Sequence, residues 1–138
     1  MRPLAAELGI APRVRFAGRI DNAEMPHLYA GADCVLNPST VDNMPISLLE
    51  AFASGVPVVS TDAGGIPDLV EHDVSGLLVP VGDAAAMGRE TVRILQEVAL
   101  RHRLVQAGLH QARRYAWPEV RERWRAAYWH AAAARGAA

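Results

Sequence analysis

Apolar and polar positions change their spacing along this chain in a way that separates strands from helices. "VPVVST" (residues 56–61) is nearly all apolar with no alternation, the pattern of a strand covered on both faces as in a parallel sheet. Three other short runs read as strands: "VRFAG" (14–18), closed by glycine, "DCVLNP" (33–38), stopped by proline, and "SGLLVPVGD" (75–83), the last. The stretches between them have helical spacing. Leu4, Leu8 and the neighbouring alanines predict a short helix ended by Gly9 and Pro12. Asp21 or Asn22 can cap a helix that buries Met25, Leu28 and Tyr29. A third helix contains Glu50 and stops at Gly55, and "AGGIPDLVEHD" predicts a glycine turn and a short helix. From Asp83 onward the chain reads as helix with a break at residues 115–118, where Pro118 suits the first turn of the final helix. Strand and helix alternate as β-α-β-α-β-α-β-α-α, which predicts an α/β domain with a parallel sheet and helices on its faces. Ligands of such sheets sit at the carboxyl ends of the strands, here residues 18–19, 37–43 and 61–65.

Composition narrows the classes of function. A chain of 138 residues has room for one domain with a real core. With 51% hydrophobic and 21% charged residues it is a folding composition, and a net charge of −1 offers no general attraction to nucleic acid or anionic lipid. All 14 basic residues are arginine, which excludes lysine-based catalysis within this chain. The single cysteine, Cys34, permits no internal disulfide, reads as a small core residue of a strand, and points to a reducing compartment; the expected location is the cytoplasm or its inner membrane face. No apolar run approaches the roughly 20 residues of a membrane span, and the start of the chain has no signal-peptide apolar segment. His27, His72, His102, His110 and His130 are scattered without metal-ligand spacing, so no metal is expected.

The most informative stretch is "NPSTVDNMPISLLEAFASGVPVVST", in which seven residues separate Asp42 from Glu50. Ser47 and Glu50 match the capping-box spacing, so Glu50 can be a helix cap and Asp42 the edge of a polar turn. Alternatively the helix begins earlier, with Asp42 or Asn43 as its cap and Pro45 in its first turn. Free N–H groups at that helix start then form an anion site in the crevice. Glu50, on the helix side shared with Ile46 and Ala53, would face the sheet end and take hydrogen bonds from ligand hydroxyls. The pattern alone leaves both readings open.

The run "FAGRI…ADCVLNPST…DNMPISLLEAFASGVPVVSTDAGGIPDLVEHDVSGLLVPVGD" resembles the carboxyl-terminal domain of retaining glycosyltransferases of the GT-B fold, family 4, over nearly the whole chain. The resemblance implies a Rossmann-like α/β sheet, the carboxyl-terminal half of a GT-B fold, occupying residues 1–138 as a single partial domain. It implies transfer of a hexosyl unit, with retention, from a nucleoside-diphosphate sugar to an acceptor hydroxyl. It makes Asp42 and Glu50 the catalytic pair, Glu50 toward the donor ribose and Asp42 toward the transferred sugar. Asn43, Met44, Pro45 and Ile46 then face the sugar and diphosphate, and Gly18 and Arg19 lie near the nucleobase. Apart from the resemblance, Ser39 is a candidate donor contact by its position, beside the plainer reading that a turn hydroxyl serves its own backbone. The resemblance implies no cofactor beyond the donor substrate and no metal. The acceptor domain and a first strand-helix-strand unit are expected outside these residues, on a longer product or a partner chain, with any peripheral membrane contact made through that domain. Asp42 stands where the family has glutamate, and Asn-Met-Pro replaces its Gly-Phe-Gly, so Pro45 removes one N–H donor. The alternative is an inactive half-domain that binds nucleotide or pairs with another subunit.

Three further features have a plainer reading beside the functional one. Gly64-Gly65 reads as a tight turn, with a phosphate cradle as the alternative. Asp68 complements the dipole of a short helix. The arginine-rich, aromatic-interleaved stretch 101–129 reads as the solvated faces of two amphipathic helices, since Glu119 and Glu122 interleave, and nucleic-acid binding is the weaker reading. Within it Trp124, Tyr128 and Trp129 are candidate exposed anchors for a partner surface.

Overall fold

A computed structural model describes residues 2–136. In chain order the elements are α1 (Arg2–Glu7), a 3-10 turn (Ala11–Arg13), α2 (Met25–Ala30), β1 (Val35–Asn37), α3 (Ile46–Ala53), β2 (Val58–Thr61), α4 (Ile66–Leu69), β3 (Leu77–Val79), α5 (Ala84–Gln96), α6 (Val98–Arg113) and α7 (Trp117–Gly136). The strands form one sheet in the order β1-β2-β3, all parallel. Val35 pairs with Val58 and Asn37 with Ser60; Val59 pairs with Leu77 and Thr61 with Val79.

The central strand explains its own apolar run. Every residue of β2 is buried, and its successive side chains point to opposite faces. Val58 joins Leu48, Phe52, Ile66 and Leu69 on one side, where α3 and α4 pack. Val59 joins Leu77, Ile94, Leu100 and Leu104 on the other, where α5 and α6 pack. Each such side chain contributes about 1.5–3 kcal/mol when removed from water. Helix α6 also reaches round to α3, and Gly108 makes that approach possible: a Cβ there would lie 2.7 Å from Cδ1 of Phe52.

Three expectations are corrected. Residues 14–18 form no strand; they run as exposed irregular backbone, with only Val14 half-buried. Alternating residues supply propensity, but a strand exists only where a second strand takes its hydrogen bonds, and none does so here among the described residues. Leu28 is not core but 47% exposed, because α2 turns Tyr29 inward instead. The helical stretch after Asp83 breaks at Glu97 as well as near residue 115, since the backbone there leaves the helical region (φ −93°, ψ 89°) and begins α6.

Cys34 packs half-buried beside the second cluster just before β1, and burial pushes its thiol pKa up to about 11. The tail helix is different in character. On α7, Trp124, Tyr128 and Trp129 are 56%, 67% and 71% exposed, and the Trp124 and Tyr128 rings stack at 5.6 Å. No helix among the described residues is long and apolar enough to cross a membrane.

Candidate functional site

The loop between β1 and α3 crosses the carboxyl ends of the strands, where the parallel sheet leaves its crevice. Side chains from both neighbouring strands brace its start. Ser39 Oγ donates to Asn37 Oδ1 at 2.8 Å, Asn37 Nδ2 donates to Ser60 Oγ at 3.2 Å, and the Thr61 hydroxyl donates to the Ser39 carbonyl. Ser60 and Thr61 are buried, so these bonds satisfy polar groups that would otherwise be costly. The Ser39 hydroxyl is thus engaged with its own loop.

Further along, Asp42 Oδ1 accepts from the Met44 N–H at 3.2 Å, a local turn bond of the kind that aspartate favours. From below, the Gly65 N–H donates to the Asp42 carbonyl at 3.0 Å. The diglycine therefore does two things. Gly64 turns the chain with φ +54°, as expected, and both glycines let the β2–α4 turn lie against the backbone of Asp42 and Asn43 with no room for a Cβ. The spacing of the sequence indicated the turn and not the contact.

Both expected helix starts are corrected. Helix α3 begins at Ile46, after Pro45, which is buried and extended (φ −68°, ψ 114°) and sits at the N-cap position without a side-chain cap. Proline at 45 is one step outside the first turn, and Asp42 caps no N–H of α3; one of its oxygens, Oδ1, accepts from the Met44 N–H ahead of the helix. The capping box does not form either: Ser47 lies inside the helix, and Glu50 turns to another partner. The Ile46 and Ser47 N–H groups have no acceptor among the described residues, so the start of α3 presents free donors with the positive end of the helix dipole.

Glu50 is exposed, as are Ile46, at 70%, and Ala53, so this side of α3 faces outward and not into the sheet end as expected. Leu48, Ala51 and Phe52 take the buried stripe, and at 100° per residue Glu50 cannot share it. One oxygen of the carboxylate is nevertheless fixed. Tyr29, 7% exposed on α2, donates its hydroxyl to Glu50 Oε2 at 2.9 Å and also lies 3.3 Å from the Ser47 carbonyl. Burial, then the hydrogen bond to Glu50 and the charge of that carboxylate, push the tyrosine pKa up to about 12. The sequence marked Tyr29 only as core. The signal for more was that a buried tyrosine hydroxyl requires a partner.

The structure joins the loop from Asp42 to Ile46 and Glu50 through one helix start. No hydrogen bond or ion pair among the described residues ties Gly18 or Arg19 to that cluster: Gly18 adopts φ +68° with nothing within 4 Å of a Cβ, and Arg19 lines a surface cavity of about 400 Å³ with Ile20, Asp21 and Asn22. A smaller recess of about 140 Å³ at the strand ends is lined by Thr40, Thr61, Asp83 and Met87, and the sequence reading did not include it. Asp83 there caps α5, accepting from the Ala86 N–H at 2.8 Å. Chemically, the α3 start can receive an anion and Glu50 can accept hydrogen bonds from hydroxyl groups.

Residues 1–97 match the protein family described as "Glycosyl transferases group 1". The D-inositol 3-phosphate glycosyltransferase of Salinispora tropica is 39% identical over 114 residues, covering 83% of this chain and 24% of the relative. The phosphatidyl-myo-inositol mannosyltransferase of Mycobacterium leprae is 35% identical over 113 residues, 81% of this chain and 30% of the relative. The chain thus spans about a quarter of the length of the curated relatives it matches. Among solved structures, sucrose-phosphate synthase from Thermosynechococcus elongatus superposes with a TM-score of 0.86 at 29% identity, over 96% of this chain and 33% of that one. Anabaena HepE in complex with UDP-glucose gives 0.76 at 28% identity, over 80% of this chain and 30% of that one. The chain therefore belongs to the group 1 glycosyltransferases, with the α/β architecture of their carboxyl-terminal GT-B domain.

Proposed function

We propose that this chain is the donor half of a retaining glycosyltransferase, which moves a hexosyl unit from a nucleoside diphosphate to an acceptor hydroxyl. The acceptor oxygen forms the new bond to the anomeric carbon, the diphosphate oxygen leaves with its electron pair, and the acceptor proton is released. The observation that carries this reading is that free N–H groups and the exposed Glu50 carboxylate share α3, the helix whose start follows the loop leaving the carboxyl end of β1 in a parallel sheet. Donors aimed at a leaving diphosphate stabilise developing charge, and the loop from Asn43 to Ile46 faces that group. Met44 contributes no amide, because Asp42 already accepts it, and Pro45 has none to give. Glu50 accepts from the ribose hydroxyls, Asp42 orients the transferred sugar, and Gly18, Arg19 and Ser39 complete the donor side. The solved complex of HepE with UDP-glucose supports a nucleotide sugar as the ligand class. The reaction needs no cofactor besides the donor itself, and an acceptor domain completes the cleft.

The test is titration of nucleoside diphosphate binding to the chain and to Glu50→Ala. Losing hydrogen bonds to a charged acceptor weakens binding by about 10- to 100-fold. Unchanged affinity would sink the assignment. The second reading, an inactive half-domain used for subunit pairing, draws on the exposed Trp124, Tyr128 and Trp129 of α7 and predicts assembly with an acceptor-domain chain without any dependence on Glu50.

A further inference from the structure

Glu50 lies on the open side of α3, and among the described residues it has no ion pair. An exposed glutamate free to turn would spread over many rotamers, and fixing it on a ligand costs side-chain entropy. Here that freedom is already restricted by a group from another element. Tyr29 packs with Leu48 and Phe52 in the core cluster, so its ring has a fixed place. Its hydroxyl emerges from the core at the surface end and meets Glu50 Oε2 at 2.9 Å. The hydroxyl has one proton. The bond to the carboxylate is shorter than the 3.3 Å approach to the Ser47 carbonyl and is charge-assisted, so Glu50 is the principal acceptor. Phenylalanine would fill the same core space. The hydroxyl is therefore not needed for packing, and its effect falls on the carboxylate. With Oε2 held, Oε1 and the remaining lone pair of Oε2 stay available to a ligand.

We propose that Tyr29 is a positioning residue of the donor site, its core-anchored hydroxyl holding the Glu50 carboxylate in one orientation for a pair of vicinal ligand hydroxyls. This rests on the donor-site reading of Glu50. It adds that a residue with no ligand contact of its own sets ribose recognition, across the α2–α3 packing. The tyrosine remains protonated, and so remains a donor, well above neutral pH.

Tyr29→Phe keeps the ring and removes the hydroxyl. Two readouts are needed, one without ligand. Side-chain scalar couplings of Glu50 by NMR report one rotamer in the unaltered chain and averaged values in Tyr29→Phe. Unchanged couplings overturn the proposal. In titrations with UDP and GDP, Tyr29→Phe loses affinity by roughly 3- to 20-fold, while the weaker affinity for the 2′,3′-dideoxy counterparts does not change between the two proteins. A merely structural role lowers both affinities equally, and that result also overturns it. If Glu50→Ala weakens binding and Tyr29→Phe does not, the positioning role fails and the donor site stands. If the unaltered chain binds neither diphosphate nor responds to Glu50→Ala, the donor-site reading falls and this proposal falls with it.

Discussion

Gly65→Ala is the sharpest test of how the donor loop is held. Gly65 has an ordinary negative φ of −88°, so alanine there suffers no backbone strain and the effect is steric. An added Cβ would lie 3.1 Å from the carbonyl carbon of Asn43 and 3.4 Å from its Cα, and would overlap the Asn43 carbonyl oxygen outright. The obstacle is backbone, which cannot swing away as a side chain end would. The loop must therefore shift by about 1 Å, at the 1–3 kcal/mol typical of overpacking. That shift also stretches the 3.0 Å bond from the Gly65 N–H to the Asp42 carbonyl, worth about 1 kcal/mol. The expected loss is about 2–4 kcal/mol of unfolding free energy, measured by urea denaturation with an unchanged m-value. Gly88→Ala is the control: Gly88 lies mid-helix in α5 with nothing within 4 Å of a Cβ, and alanine should stabilise it by about 0.5–1 kcal/mol. A Gly65→Ala protein within about 0.5 kcal/mol of the parent, an ordinary surface effect, would refute the close backbone approach that places Asp42 and Asn43.

Two other outcomes follow from the packing and the pKa shifts. Gly108→Ala should destabilise in spite of its better helix propensity, by about 1–3 kcal/mol, because its Cβ meets the Phe52 ring between α3 and α6; a gain in melting temperature would contradict that contact. Cys34 should resist alkylation in the folded chain. Its thiol is raised from 9.0 to about 11, so at pH 8 the thiolate fraction, and with it the iodoacetamide rate, should be about 100-fold below that of the urea-unfolded chain. The neutral thiol is the form favoured by folding, so the associated stability is fully present below pH 9 and is lost as pH rises toward 11. Equal rates in folded and unfolded chains would contradict the burial.

The sequence by itself determined the elements whose signals are local. The all-apolar residues 56–59 announced a strand covered on both faces, Gly55 and Pro38 ended the elements before them, and Asp42 to Glu50 marked the polar crossing at the strand ends. It also carried the family likeness, since those positions recur in order. Tertiary structure decided everything that depends on a second segment. Residues 14–18 have strand propensity but, among the described residues, no neighbouring strand to exchange hydrogen bonds with. The side of α3 shared by Ile46, Glu50 and Ala53 was expected to be turned from open water, yet Leu48, Ala51 and Phe52 form the buried stripe, leaving Ile46 and Glu50 exposed. Gly64 and Gly65 revealed a turn through their freedom, but the backbone they admit lies 22 residues away in the chain, at Asp42 and Asn43. The hydroxyl of Tyr29 reaches a carboxylate 21 residues on. Periodicity reports only what a residue's own turn or strand does with it. Contacts between elements depend on which of several apolar faces buries more area and closes without a clash, and that competition is settled only when the whole domain packs.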